Sequence, residues 1–202
     1  RFPPKAKKTG FIFHLSSFPM PILFLYGTDE FAISRRLSEI ASKTDKDGMN
    51  TSRLEARLTS EQDLNNAVNS MPFLSDKRLV ILANPSQKFT AGEPRKKFTA
   101  FLGNVPPTTL LVMIETIEAK EADKHWLVKW AAKTESAKAE ALMAPKPRDM
   151  SGWIVNEMKR QGGKMSSEAA GKLSELVGAD TRQAAQEIAK VLAYVNWARP
   201  VE

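Results

Sequence analysis

The chain has no cysteine and only two histidines, His14 and His125. The first absence excludes disulfides and thiolate metal sites and fits a reducing compartment. The second argues against a multi-histidine metal centre. No apolar run approaches the ~20 residues that cross a bilayer. A membrane partner is therefore not expected, and a cytoplasmic location is. No internal repeat period is present. Glycine is missing where phosphate chemistry would need it. The apolar run Ile22-Leu23-Phe24-Leu25-Tyr26 reads as a buried strand. It stops at Gly27, and Thr28-Asp29-Glu30 opens a helix carrying Phe31, Ile33, Leu37 and Ile40. A nucleotide-hydrolysing protein places a G-x-x-x-x-G-K-[ST] turn here, wrapping phosphates in backbone N–H groups and a lysine. This turn has one glycine, no lysine and two carboxylates. Asp29 and Glu30 repel phosphate and suit the positive end of the helix dipole instead. The order of elements is that of an ATPase-like fold, but the chemistry is absent, which points to partner binding rather than catalysis.

The 202 residues are enough for one large domain or two small ones, and 42% hydrophobic with 26% charged content is ordinary for a globular protein. Of the net charge of +7, four positive charges come from Arg1, Lys5, Lys7 and Lys8, leaving the remainder mildly basic. Such a balance permits contact with nucleic-acid phosphates without demanding it. Residues 1–19 read as an extension ahead of Met20, either a translated upstream stretch or a floppy arm.

From Met20 to Ala144 strands alternate with helices, so a mostly parallel α/β sheet is expected over residues 20–144. Asn50 to Leu58 holds a short strand around Leu54. Thr59-Ser60-Glu61-Gln62 reads as a capping box, opening a helix with Leu64, Ala67, Val68 and Met71 on one stripe. Pro72 breaks that helix. Arg78 to Leu82 is a buried strand, Asn84 to Pro94 a loop, Arg95 to Leu102 a basic helix, and Thr109 to Ile114 a further buried strand. Ala119 to Ala132 reads as one helix with Trp126, Leu127 and Trp130 on one side, and Ala137 to Ala144 as an edge strand. The proline-broken stretch Ala144-Pro145-Lys146-Pro147-Arg148 is a linker. Beyond it, residues 145–202 read as a three-helix bundle. Trp153, Ile154 and Met158 mark the first helix, Ser166 caps the second, and Asp180 caps the third with Gln183 in the capping-box position. The third helix's stripe is Ala184, Ile188, Val191, Leu192 and Val195.

Three pieces, in order, carry a resemblance: Phe24 to Phe31, Met71 to Leu82, and Val177-Gly178-Ala179-Asp180 with Glu187 and Lys190 before Tyr194. Together they resemble the delta subunit of the bacterial DNA polymerase III clamp loader. The first is similar to that family's degenerate nucleotide-loop segment, the second to its clamp-touching helix–loop–strand, the third to its lid domain. The resemblance implies an AAA+-like domain without a functional phosphate loop, followed by a small helical lid, and a delta lacking the C-terminal collar. It implies no active site or cofactor of its own. The implied partners are the beta sliding clamp, the gamma/tau and delta prime subunits, and primed DNA. It places the clamp-binding residues at Met71, Pro72, Phe73 and Leu74, with Phe73 and either Pro72 or Leu74 inserting into a hydrophobic pocket of the clamp. Binding would compete with ring closure, so delta holds one interface open.

The residues themselves agree in part. Phe73 and Leu74 lie between a helix-breaking proline and a polar Ser-Asp-Lys turn, where exposed apolar residues mark partner sites. Met71 fits equally well in the core. Lys88, Arg95, Lys96 and Lys97 form the densest basic cluster, a solvated helix face or a set of contacts to DNA phosphates. Arg78 is a strand-edge charge or a support for the loop. Trp126 and Trp130 read as core, and Glu187 with Lys190 as a surface pair. Two other functions remain open. One is a diverged nucleotide kinase or ATPase using Glu115 at a strand end, which lacks a matching lysine. The other is a helix-turn-helix regulator reading DNA with Arg182, Gln183, Gln186 and Lys190.

Overall fold

Where the chain is apolar without interruption it forms the middle of a sheet, and where charges intrude it forms the edges. The computed structural model describes residues 20–201; the reading of residues 1–19 lies outside them. β1 (Ile22–Tyr26), β2 (Thr51–Glu55), β3 (Arg78–Ala83), β4 (Thr109–Glu115) and β5 (Ala137–Ala141) pair in the order β2-β3-β4-β1-β5. Every pairing is parallel. β1 and β3 are buried along nearly their whole length and β4 through its centre, as strands covered on both faces must be. β2 and β5 carry Arg53, Lys138 and Glu140, charges that discourage further strand addition at the edges.

Alternation along the strands divides the core in two. Ile22, Phe24, Val80, Leu82, Leu111 and Met113 face one way. They are covered by α2 (Glu61–Asn69), α4 (Gly92–Leu102) and α6 (Trp126–Ala131). Leu23, Leu25, Leu79, Ile81 and Val112 face the other way, against Ile33, Leu37 and Ile40 of α1 (Glu30–Thr44). α3 (Pro85–Lys88) and α5 (Ala119–Ala122) are single turns at the ends of β3 and β4. A 3₁₀ turn at Pro147–Asp149 leads into α7 (Met150–Arg160), α8 (Ser167–Val177) and α9 (Thr181–Tyr194). Met150, Ile154, Met158, Ala170, Val177, Ala184, Ile188 and Leu192 give these three helices a core of their own.

Several local expectations change. The cap of α2 is Ser60, not Thr59: its hydroxyl accepts from the Asp63 N–H at 3.0 Å, while Thr59 donates to the Glu55 carbonyl at 2.7 Å. α2 ends at Asn69, and Ser70 turns the backbone extended, so Met71 leaves the stripe and is 79% exposed. The 84–94 loop contains α3, and α4 starts at Gly92 rather than Arg95. The expected 119–132 helix is two turns interrupted at Asp123–His125, with Trp126 and Trp130 half-buried rather than core. Ser166 and Asp180 cap α8 and α9 as expected, accepting from Ala169 and Gln183. Val195 lies just past the end of α9.

Candidate functional site

In an open α/β sheet the ligand crevice lies beyond the C-terminal strand ends, where the strand order reverses. Here that place is the end of β1, between β4 and β5. Three of the backbone donors around this turn are already used. Gly27 N–H donates to the Glu115 carbonyl at 3.1 Å and Asp29 N–H to the Leu142 carbonyl at 3.0 Å. The Ala32 N–H, in the first turn of α1, donates to the Asp29 carboxylate at 2.9 Å. Asp29 is the N-cap of α1 and is buried. The cavity beside this turn, about 340 Å³, is lined by Glu30, Ser34, Asn84, Glu115, Thr116 and Arg182 among others. Its lining sets two carboxylates, Glu30 and Glu115, against one guanidinium, Arg182. Among the described residues no group of three or more acidic or histidine side chains is placed to hold a metal ion.

Glu115, the acid an ATPase reading needs, belongs to a half-buried polar group that the sequence did not reveal. Ser86 Oγ lies 3.1 Å from His125 Nε2 and accepts from the Trp126 indole N–H at 3.0 Å. Glu115 Oε2 is 4.0 Å from the same Nε2. Burial raises the Glu115 carboxyl above its ordinary pKa, against hydrogen bonds from Ser86. Burial, aided by the Arg95 charge, lowers the His125 ring, against the charge of Glu121. These residue types also build catalytic triads. A triad, however, needs the acid on the ring nitrogen opposite the nucleophile. Here both approach Nε2, and Nδ1 is buried without a hydrogen-bond partner among the described residues. The arrangement does not orient a base.

At the opposite end of the sheet, where strands begin, residues 70–77 join α2 to β3. Phe73 is 58% exposed and Leu74 91% exposed, beside Met71, while Pro72 is half-buried. Leu74 has φ +49°, a left-handed conformation uncommon for a branched apolar residue. Met49, 64% exposed, precedes Asn50, whose side chain meets the loop. Neither residue stood out in the sequence. The loop thus gathers Met71, Phe73 and Leu74 facing solvent, with Pro72 half-buried beside them.

The basic candidates are not gathered. Lys88 donates to the Thr59 carbonyl, and Arg95 lies over the Trp126 ring at 4.9 Å. Lys96 pairs with Glu93 at 2.8 Å. Lys97 is exposed and has no ion pair among the described residues. Arg78 donates to Ser52 Oγ at 2.8 Å, bridging two strands. In α9, Lys190 pairs with Glu187 at 2.7 Å on the surface. Arg182 sits over the Phe31 ring at 5.5 Å, and Thr181 donates to Asp29 at 2.8 Å. The end of α9 that a recognition helix would present to a DNA groove is turned against α1.

The family model for the DNA polymerase III delta subunit matches residues 23–140. The chain belongs to the DNA polymerase III delta subunit family. The Bacillus subtilis DNA clamp loader delta protein shares the fold, with a TM-score of 0.71 and 19% identity over 90% of this chain. The match covers 55% of that protein's chain. Domain III of the Thermotoga maritima replication initiation protein DnaA superposes with a TM-score of 0.44 and 12% identity, over 90% of this chain and 79% of that one. No curated protein sequence matches. The fold of this delta-family chain is an AAA+-like parallel sheet followed by three helices, with the Gly27–Glu30 turn where a phosphate loop would lie. No helix among the described residues is long and apolar enough to cross a membrane.

Proposed function

We propose that this chain is the clamp-contacting portion of a clamp-loader delta subunit. It binds the beta sliding clamp through Met71, Pro72, Phe73 and Leu74, and holds the ring open for loading onto primed DNA, without hydrolysing ATP itself. An α/β unit over residues 20–144 carries the contact, and a helical lid over residues 145–202 orients it toward the gamma/tau and delta prime subunits in the cytoplasm. The observation that carries the reading is the pair of adjacent exposed apolar side chains, Phe73 and Leu74, on a short loop in a delta-family chain. Leu74 is the second anchor, because Pro72 is the less exposed neighbour. In the basic cluster only Lys97 is left without an internal partner among the described residues, so any phosphate contact there is made chiefly by Lys97.

The test is titration of the clamp with the wild-type chain beside a Phe73→Ala, Leu74→Ala double variant. Two central apolar anchors together are worth ~2 kcal/mol or more, an affinity loss of about thirtyfold. Because both side chains face water, folding stability should change by less than about 0.5 kcal/mol. Equal binding by the two folded proteins, or no binding by the wild type, would remove the clamp reading.

A further inference from the structure

The loop bearing Phe73 and Leu74 is short and polar at its far end, yet its backbone is fastened at one point. Asn50, only 3% exposed, receives the Phe73 N–H on Oδ1 and donates from Nδ2 to the Phe73 carbonyl at 3.0 Å. One side-chain amide thus satisfies both backbone groups of Phe73, as a neighbouring strand would. Asn50 is itself fixed. Its N–H donates to Asp45 Oδ2 at 2.8 Å and its carbonyl accepts from Leu79 N–H at 3.0 Å. Asp45 in turn receives Thr51 Oγ1 at 2.6 Å, and its own N–H closes the end of α1 on the Ala41 carbonyl at 2.8 Å. Gly48, at φ +73°, allows the turn from Asp45 back to Asn50. A continuous chain of hydrogen bonds therefore runs from the end of α1, through Asp45 and Asn50, to the backbone of Phe73.

We infer that Asn50 is a positioning residue for the clamp-docking loop: it holds the Phe73 backbone so that the side chains of Phe73 and Leu74 are presented together before any partner arrives. This rests on the clamp-binding reading above. Physically, a loop ordered in advance does not lose its backbone freedom on binding, and that loss is a principal cost of docking a flexible segment. The left-handed Leu74 belongs to the same device. A branched residue stays in that region only where its neighbours over-determine it, and the pinned Phe73 is the neighbour that does so.

The experiment combines amide hydrogen exchange with clamp titration, on wild type and Asn50→Ala. In the wild type, the Phe73 amide should exchange far more slowly than those of Leu74 and Ser75. In Asn50→Ala that protection should vanish while the amides of Leu79 and Val80 in β3 stay protected, which separates local release from general destabilisation. Clamp affinity should fall about tenfold, the effect of freeing roughly one residue's backbone. If Asn50→Ala does not fold, the wild-type exchange pattern still decides, since a fast Phe73 amide overturns the pinning. Wild-type binding with an unweakened Asn50→Ala overturns the positioning role alone. A wild type that does not bind the clamp overturns the functional reading, and this inference with it.

Discussion

A methyl group at position 27 would lie 2.1 Å from the carbonyl oxygen of Leu142, in a backbone conformation of φ +143°. That carbonyl cannot retreat easily, because it accepts the Asp29 N–H at 3.0 Å. Gly27→Ala should therefore destabilise the fold by about 2–4 kcal/mol, combining backbone strain with a shifted β1–β5 end. A urea titration checks this, and a loss below about 0.5 kcal/mol would mean the turn is not held as described. The same turn shows how far single residues can be read from sequence. The carboxylates at 29 and 30 were legible as a helix start, and Asp29 is the cap of α1. What the sequence could not show is that Asp29 also accepts a hydrogen bond from Thr181, 152 positions away. A local propensity signal says nothing about a partner so remote. The exposed state of Phe73 and Leu74 was legible for the converse reason: a proline on one side and Ser-Asp-Lys on the other are local cues. Asn50, 23 positions from Phe73, leaves no such trace.

At the scale of elements the errors are boundaries, and each has a physical cause. Thr59 and Ser60 are both good caps, and the sequence offers Gln62 to one and Asp63 to the other. The tertiary turn after β2 decides between them. Leu58 and Thr59 N–H groups both donate to the Glu55 carbonyl at 3.0 Å, drawing Thr59 into the turn and leaving Ser60 to start α2. Ser60→Ala should cost about 1 kcal/mol, read from the shift of the thermal or urea midpoint. An unshifted midpoint would restore Thr59 as the cap. The tryptophan stripe fitted one helix over residues 119–132, but Trp126 and His125 both reach Ser86 on α3, and α6 starts afresh at Trp126. Periodicity identified which face is apolar but not where the backbone pauses to let a polar group turn inward. The strands were read more reliably, since continuous apolar runs bounded by polar turns leave little choice.

At the scale of the whole molecule, the three C-terminal helices meet the sheet's α1 through polar contacts. Asp29 takes the Thr181 hydroxyl, Arg35 reaches Glu157 at 2.9 Å, and the Phe31 ring lies near the guanidinium groups of both Arg35 and Arg182, at 5.3 and 5.5 Å. Side chains from α1 and from the C-terminal helices thus meet directly beside the cavity. Glu157 is the centre of that junction, almost fully buried and receiving Arg35, Arg160 and Gln161. Burial alone would raise its carboxyl, but the hydrogen bonds from Arg160 and Gln161 and the charges of Arg160 and Arg35 outweigh it and hold the pKa at about 2. The sign follows from linkage. With a folded pKa below the ordinary 4.5, the unfolded chain binds the proton first as pH falls. The stabilisation is thus complete above about pH 5 and is lost progressively as pH falls from about 4.5 toward 2, a contribution on the order of 3 kcal/mol. Glu157→Gln should be less stable than wild type at pH 7, and the gap should narrow as the solution is taken to pH 3. Urea midpoints of the two proteins across that range measure it. A constant gap would mean that the loss comes from packing alone and that the Glu157 charge does not hold the helices to α1.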